Sequence, residues 1–395
     1  MNNEYYLDNS ATTKPEQEVV EAMMPYLNDD KWYNPSSLYL PAKKVKEDIE
    51  NARRTVGDFI NAYPNEIFFT SGGSESNCLA IRGFVDWCEL ENHRRSVIIT
   101  TEIEHKSIME CVKNLPIGVE VIYVGVDEYG FVNAEELERS IASVTGDSFN
   151  NGSNVLVSIA FANNEIGTIQ NIKELANIVH KYGAVFHVDA VQALGHIPID
   201  VRYFDIDMMS ASGHKIGCPK GIGFLYKRSD INIKPIIYGS QMDGLRGGTE
   251  NVPYIMAMAK AVELLPEKIR NASRVKMVNN YFTDKLVKIG CKLNGAEEER
   301  LPNNISVILP EGINGESFLY SIEMSGIYIS TGSACNSHSV EPSHVLKAIG
   351  LTDDEAARTI RITFDSNISV DDIDGIMYEI ERAVWLFNNN FDYML

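Results

Sequence analysis

Long apolar runs, an excess of basic residues and paired cysteines are all missing from this 395-residue chain. No uninterrupted apolar stretch reaches bilayer length, and Met1-Asn2-Asn3-Glu4-Tyr5-Tyr6 shows no basic region followed by an apolar one, so the sequence predicts a cytoplasmic protein with no membrane partner. Lys and Arg number 35 against 55 Asp and Glu, a formal charge of -20. Neutralising phosphates needs clustered cations, so direct nucleic-acid binding is disfavoured. The six cysteines, at 78, 88, 111, 218, 291 and 335, show neither C-x-x-C nor zinc-ligand spacing. No metal is expected, and a reducing compartment with free thiols is. No G-x-G-x-x-G opens the first strand-helix unit, which argues against a nicotinamide dehydrogenase. Internal repeats, low-complexity tracts and a Pro-rich linker are also absent.

What remains is a globular composition, 44% hydrophobic, enough for a sizeable core. Strand-like runs at Ile67-Thr70, Val97-Thr100, Val119-Val124, Val155-Ala160 and Val185-Val188 alternate with helical patterns such as Ile172-Tyr182. That alternation predicts an α/β fold with a largely parallel sheet. A long helical pattern after Asn251-Val252-Pro253 runs through Leu264 and Val275 to Leu286 and is expected to bridge to a smaller α+β unit.

Four pieces of chemistry recur along the chain. Val185-Phe186-His187-Val188 reads as a strand ending at Asp189, where an open α/β sheet presents ligands, with Gln192 three residues on. Ile206-Asp207-Met208-Met209-Ser210 reads as the next strand and delivers Ser212, His214 and Lys215 to the same edge. A lysine amine can take a cofactor aldehyde, and a carboxylate stabilises a protonated pyridine nitrogen, so Lys215 and Asp189 together point to pyridoxal 5'-phosphate (PLP). In Ser71-Gly72-Gly73-Ser74 before a helix, Gly73 and Ser74 are candidate phosphate ligands; an ordinary capped helix is the alternative. His105, at a strand end, could stack on the ring and move protons, or be structural. Asn163 could offer its amide to the cofactor or to a substrate carboxylate, or simply form an Asn turn.

These motifs resemble the NifS/IscS group of cysteine desulfurases, within the class V aminotransferase superfamily. The resemblance runs from Tyr6-Leu7-Asp8-Asn9-Ser10-Ala11-Thr12-Thr13, through Asp189-x-x-Gln192, Ser212-Gly213-His214-Lys215 and Gly221-Ile222-Gly223, to Ser333-Ala334-Cys335 and Thr359-Ile360-Arg361. It implies PLP fold type I: a large domain over residues 16-262 with a mainly parallel seven-stranded sheet, and a small domain formed by 1-15 and 263-395. It also implies that Lys215, His105 and Cys335 are catalytic, and that Gly73, Ser74, Asn163, Asp189, Gln192, Ser212 and His214 hold the cofactor. Thr249, in Arg246-Gly247-Gly248-Thr249, would reach a phosphate across a homodimer interface, and Arg361 would clamp the substrate carboxylate. Two departures stand out. Gly73-Ser74 replaces the commoner Ala-Thr pair, and Asp365 stands where Gly is usual.

The small and polar neighbours of Cys335 suit a thiolate that accepts sulfur as a persulfide. The implied activity is conversion of L-cysteine to L-alanine, with sulfur passed to an iron-sulfur scaffold or a tRNA- or cofactor-thiolation protein. A selenocysteine lyase or aminotransferase would use the same cofactor residues without Cys335. A catalytically silent scaffold would not need Lys215 and Asp189.

Overall fold

The computed structural model describes residues 4–28, 30–91, 95–145, 154–331 and 342–389. Its centre is a seven-stranded sheet. The strands lie in the order Ile67–Thr70, Gly223–Lys227, Met208–Ser212, Val185–Asp189, Val155–Ala160, Val97–Thr101 and Glu120–Val124. Gly223–Lys227 runs antiparallel to both neighbours and the rest are parallel. The central strands are buried along their whole length, as in Val185–Asp189 and Met208–Ser212, because helices cover both faces. Apolar residues such as Phe186, Val188 and Met209 are at most 2% exposed, and each such side chain contributes roughly 1.5–3 kcal/mol by leaving water.

Beyond shifts of one residue at an end of Val97–Thr101, Glu120–Val124 and Ile172–Lys181, two boundaries differ from those the sequence suggests. The strand expected at Ile206 begins at Met208 and runs to Ser212, because Asp207 is diverted: its N–H bonds to Phe186 O (3.1 Å) and its Oδ2 accepts from Phe186 N (2.7 Å). The long bridging helix is two helices, Val252–Arg270 and Ala272–Lys288, meeting at Asn271. Asn271 closes the first by donating to Glu267 and Lys268 carbonyls (both 3.1 Å), and Pro266 inside that helix has no N–H to give.

The split separates two cores. Val252, Ile255 and Leu265 pack with the large sheet, whereas Val275, Phe282 and Leu286 pack with a four-stranded antiparallel sheet. That sheet is ordered Ser330–Thr331, Thr359–Thr363, Asn304–Ile308, Lys292–Leu293. The N-terminal strand Tyr5–Tyr6 pairs in parallel with Ile327–Tyr328, and Leu7 belongs to this second core. Among the described residues, no helix is long and apolar enough to cross a membrane.

His180 ties the Ile172–Lys181 helix to the large sheet. Its Nδ1 lies 3.1 Å from Asp205 and its Nε2 3.0 Å from buried Asp207, which also meets Arg228 at 2.6 Å. Burial alone would depress this imidazole, but hydrogen bonds and charge from Asp207 and Asp205 outweigh it and raise its pKa. A histidine raised on folding stabilises below its unfolded value of about 6.5, and that contribution fades as pH rises through the folded value. His180→Gln should therefore lose roughly 1.5 kcal/mol in slightly acidic buffer, and the gap in Tm from the parent protein should shrink as the solution is made alkaline. A gap that is constant with pH in thermal melts would show that the protonated ring is not the source.

Candidate active site

A cavity of about 320 Å³ opens where Val155–Ala160, Val185–Asp189 and Met208–Ser212 end. Asp189, the last residue of its strand and 5% exposed, is held by two donors. Asn77 Nδ2 reaches its Oδ2 at 2.7 Å, and Val191 N reaches its Oδ1 at 2.9 Å. Asn77 Nδ2 also donates to Ser107 Oγ (2.9 Å), so both amide hydrogens are spent. Ser107 is then free to donate its own hydroxyl hydrogen to His105 Nδ1, 2.8 Å away, where the Ser107 backbone N–H also points at 3.1 Å. Because Nδ1 accepts, the neutral ring carries its proton on Nε2. The His105 ring keeps an exposed face, yet its surroundings desolvate it and, with Lys215, His344 and Lys106, lower its pKa against the pull of Asp189.

Neither Asn77 nor Ser107 was singled out in the sequence. The signal was spacing: Asn77 is four residues after Gly73 on one helix, hence on the same face.

Lys215 closes the short turn Gly213–Lys215 that follows Ser212. Its Nζ donates to the carbonyls of Ser10 and Ala11, the latter at 2.8 Å. Gln192 Nε2 donates to the same Ser10 carbonyl at 3.1 Å. His214 lies 3.2 Å from Thr12 Oγ1, and burial with the nearby Lys215 and Lys220 charges pushes it down to about 4. Asn163 forms the turn that was its alternative reading: its Oδ1 accepts from Glu165 N (2.8 Å) and Ile166 N (3.0 Å). It donates one amide hydrogen to Ile103 O (2.9 Å), which leaves the other for a ligand.

The 18-residue helix Gly73–Leu90 points its N-terminus at the cavity, and its Gly72 cap supplies no side-chain acceptor. The first-turn N–H groups at Gly73 and Ser74 are therefore available to an anion. A Cβ on Gly73 would stand 2.6 Å from Val191 Cγ2 and 3.4 Å from Ser212 Cβ, so the wall admits only glycine there without movement. This anion-ready helix end, the buried unpartnered Asn77 Oδ1, the Asp189 carboxylate and the Lys215 amine suit a phosphorylated pyridine aldehyde.

Arg361, on Thr359–Thr363 and 3% exposed, forms the wall contributed by the second sheet. Every predicted site residue except Thr249 and Cys335 lines this cavity. Thr249 is exposed and away from it in the same chain, and Cys335 falls within 332–341, outside the described residues. The Asp365 departure is accommodated locally: its Oδ1 accepts from Asn367 N at 2.7 Å, and its backbone does not take a positive φ. Among the described residues there is no cluster suited to a metal ion.

The aminotransferase class-V family model matches residues 5–376. The chain belongs to that family. A relative from Methanosarcina thermophila, described as cysteine desulfurase IscS, is 42% identical over 392 residues, covering 98% of this chain and 94% of the relative. Among solved structures, a NifS-like protein aligns with a TM-score of 0.88 at 34% identity over 97% of this chain and all of its own. SspA in complex with cysteine aligns with a TM-score of 0.79 at 35% identity, covering 92% of this chain and 99% of that one. The class-V architecture here is a PLP fold type I arrangement with a mainly parallel sheet flanked by helices.

Glu104 lies behind His105, 1% exposed, with Thr101 Oγ1 donating to its Oε1 (2.7 Å) and its Oε2 unpartnered. Burial, reinforced by Asp189, pushes its pKa up to about 8. The folded protein thus keeps a proton that the unfolded chain releases from about 4.5 upward, so this residue erodes stability as pH rises from about 4.5 to about 8. Glu104→Gln should melt above the parent protein at neutral pH, with an advantage that grows across that window and then levels off. An advantage that does not grow with pH in parallel melts would refute the neutral-acid assignment.

Proposed function

We propose that the protein is a PLP-dependent cysteine desulfurase that converts L-cysteine to L-alanine and holds the sulfur as a persulfide on Cys335. The observation that carries this reading is the convergence of Lys215, Asp189, the Gly73-Ser74 helix end and Arg361 on one cavity. The full-length relatives named for the activity support it.

When bound, the cofactor supplies an aldehyde for amines and an electron-withdrawing ring that weakens bonds around the substrate's Cα and Cβ. Lys215 would supply the amine that holds the aldehyde and, once free of it, would carry a proton to and from the substrate's Cα. Asp189, locked by Asn77 and Val191, would stabilise a protonated ring nitrogen. His105, with Nδ1 accepting from Ser107 and its proton on Nε2, would cover the ring and could donate from Nε2. Gly73 and Ser74, with Ser212 and His214, receive the phosphate, and the Ser74 hydroxyl replaces that of the commoner threonine. Gln192 and the remaining amide hydrogen of Asn163 address the ring oxygen or the substrate. Arg361 takes the substrate carboxylate.

The Cys335 thiolate attacks the sulfur of L-cysteine. A sulfur–sulfur bond forms, the carbon–sulfur bond breaks, and the carbon gains a proton to become the methyl group of L-alanine. The persulfide then passes to an acceptor protein serving iron-sulfur assembly or tRNA or cofactor thiolation. A homodimer completes each site by lending Thr249. Gly247 N bonds to Ile237 O (2.8 Å), so this segment runs beside Ile237 and Tyr238, which are 41% and 76% exposed, an apolar edge that a second copy would cover.

The purified protein should be yellow, and borohydride reduction followed by peptide mapping should label Lys215. Cys335→Ser should keep the colour and its response to L-cysteine yet release almost no sulfide with a reductant. A label on another lysine would remove the cofactor assignment, whereas sulfide release at the parental rate would favour a selenocysteine-lyase type of reaction.

Subunit mixing tests the shared site. Dimers of one chain carrying Lys215→Ala and one with Thr249 replaced by a bulky residue contain one site with both defects and one with neither. Activity should return once mass spectrometry shows exchange. Exchange without recovery would assign Thr249 to its own chain.

A further inference from the structure

Arg361 already has a carboxylate partner before any substrate arrives. Its Nη2 lies 2.7 Å from Asp8 Oδ1, its Nη1 donates to Asn164 O at 3.3 Å, and its Nε is buried without a partner. The backbone on either side of Asp8 is fixed to the strand that carries Arg361. Thr363 N donates to Leu7 O (2.8 Å), Asn9 N to Thr363 O (3.0 Å) and Ser10 N to Thr363 Oγ1 (2.9 Å), so residues 7–10 run along the strand that carries Arg361. A second carboxyl, Glu165, also feels the Arg361 charge. Burial pushes it up to about 7, against the Ser343 hydroxyl that donates to it and the Arg361 and Lys106 charges.

A guanidinium offers a carboxylate two parallel hydrogens along one edge. Nη1 gives one hydrogen to Asn164 O, and the edge left open by the unpartnered Nε is Nε with Nη2, where Nη2 is shared with Asp8. An incoming carboxylate on that edge therefore sits beside a second carboxylate, and like charges at such range oppose each other's binding. The substrate and the product L-alanine carry the same carboxylate, so an interaction with it is uniform along the reaction. Weakening it costs the chemical step little and loosens the product.

We propose that Asp8 is a resident counter-ion that neutralises Arg361 in the empty site and competes with the carboxylates of substrate and product, setting their affinity low enough for turnover. This rests on the reading of Arg361 as the carboxylate-binding residue. Asp8 is a positioning residue, acting through Arg361.

Asp8→Asn keeps the oxygen acceptor and the size of the side chain while removing its charge. The cofactor-loaded full-length variant and parent would be titrated with L-alanine and with ethylamine, its counterpart without the carboxylate, following the visible absorbance and, in parallel, heat. The variant should bind L-alanine on the order of tenfold more tightly, the scale of a partly screened contact between charges, with ethylamine unchanged. KM for L-cysteine should fall, and kcat should fall where product release limits it.

L-alanine affinity that is unchanged or weaker, with ethylamine unchanged, would overturn the proposal. Equal changes for both ligands, together with a lower Tm, would mean that Asp8 only supports the fold and would overturn it as well. Arg361→Gln distinguishes the underlying reading: it should weaken L-alanine and spare ethylamine. If it does not, the carboxylate assignment fails and the proposal falls with it.

Discussion

The register of three neighbouring parallel strands governs the site. Ala160 stands opposite Asp189, and Asp189 opposite Ser210, so the chain leaves the sheet at nearly one level on all three strands. From that level Asn163 is three residues on, Val191 and Gln192 follow Asp189 directly, and Ser212 and Lys215 lie just beyond Ser210. A slip of one residue in either pair would turn Asp189 or Ser212 to the opposite face. Apolar packing thereby sets the polar geometry: Phe186, Val188, Met209 and Ala211 share one buried face of these strands while Asp189 and Ser210 lie on the other, so a slip would exchange the two.

Around these strand ends, burial controls which groups carry charge. His105 and His214 are both pushed toward the neutral form, and Glu104 toward the protonated one. Asp189 and Lys215 thus have two imidazoles and a carboxyl beside them that burial drives toward their uncharged forms, whereas Arg361 keeps Asp8 as an adjacent counter-ion. Asn77 and Ser107 extend this arrangement by tying the orientation of Asp189 to the tautomer of His105 through hydrogen bonds.

Much of this was legible in the sequence where a short apolar run meets a polar punctuation. Ile67–Thr70 and Val155–Ala160 have the bounds the pattern predicts, because glycine or asparagine turns follow both. The strand after Ile206 was misjudged by two residues, since an apolar Ile says nothing of the hydrogen bonds that take Asp207 out of the ladder. The helix break at Asn271 had a visible sign in Pro266, yet a continuous apolar periodicity masked it. Asn77, Glu104, Glu165 and Asp8 were passed over for a different reason: each becomes informative only when a partner distant in sequence is brought to it. Thr249 was named from the resemblance, and it does not line the cavity of a single chain.

The N-terminal segment has consequences for biosynthesis. Thr13 donates to His214 O (2.8 Å), Lys215 reaches back to Ser10 and Ala11, and Leu7, Asn9 and Ser10 bond to Thr363. Residues 7–10 are thus locked by a strand made much later in translation. While the ribosome is still translating, the large sheet can assemble, but the cavity lacks one wall and Tyr5–Tyr6 has no strand to join. Nascent chains cut short before Thr363 would keep most of the core and lack the lock. The site is therefore closed only after Thr359–Thr363 has been made.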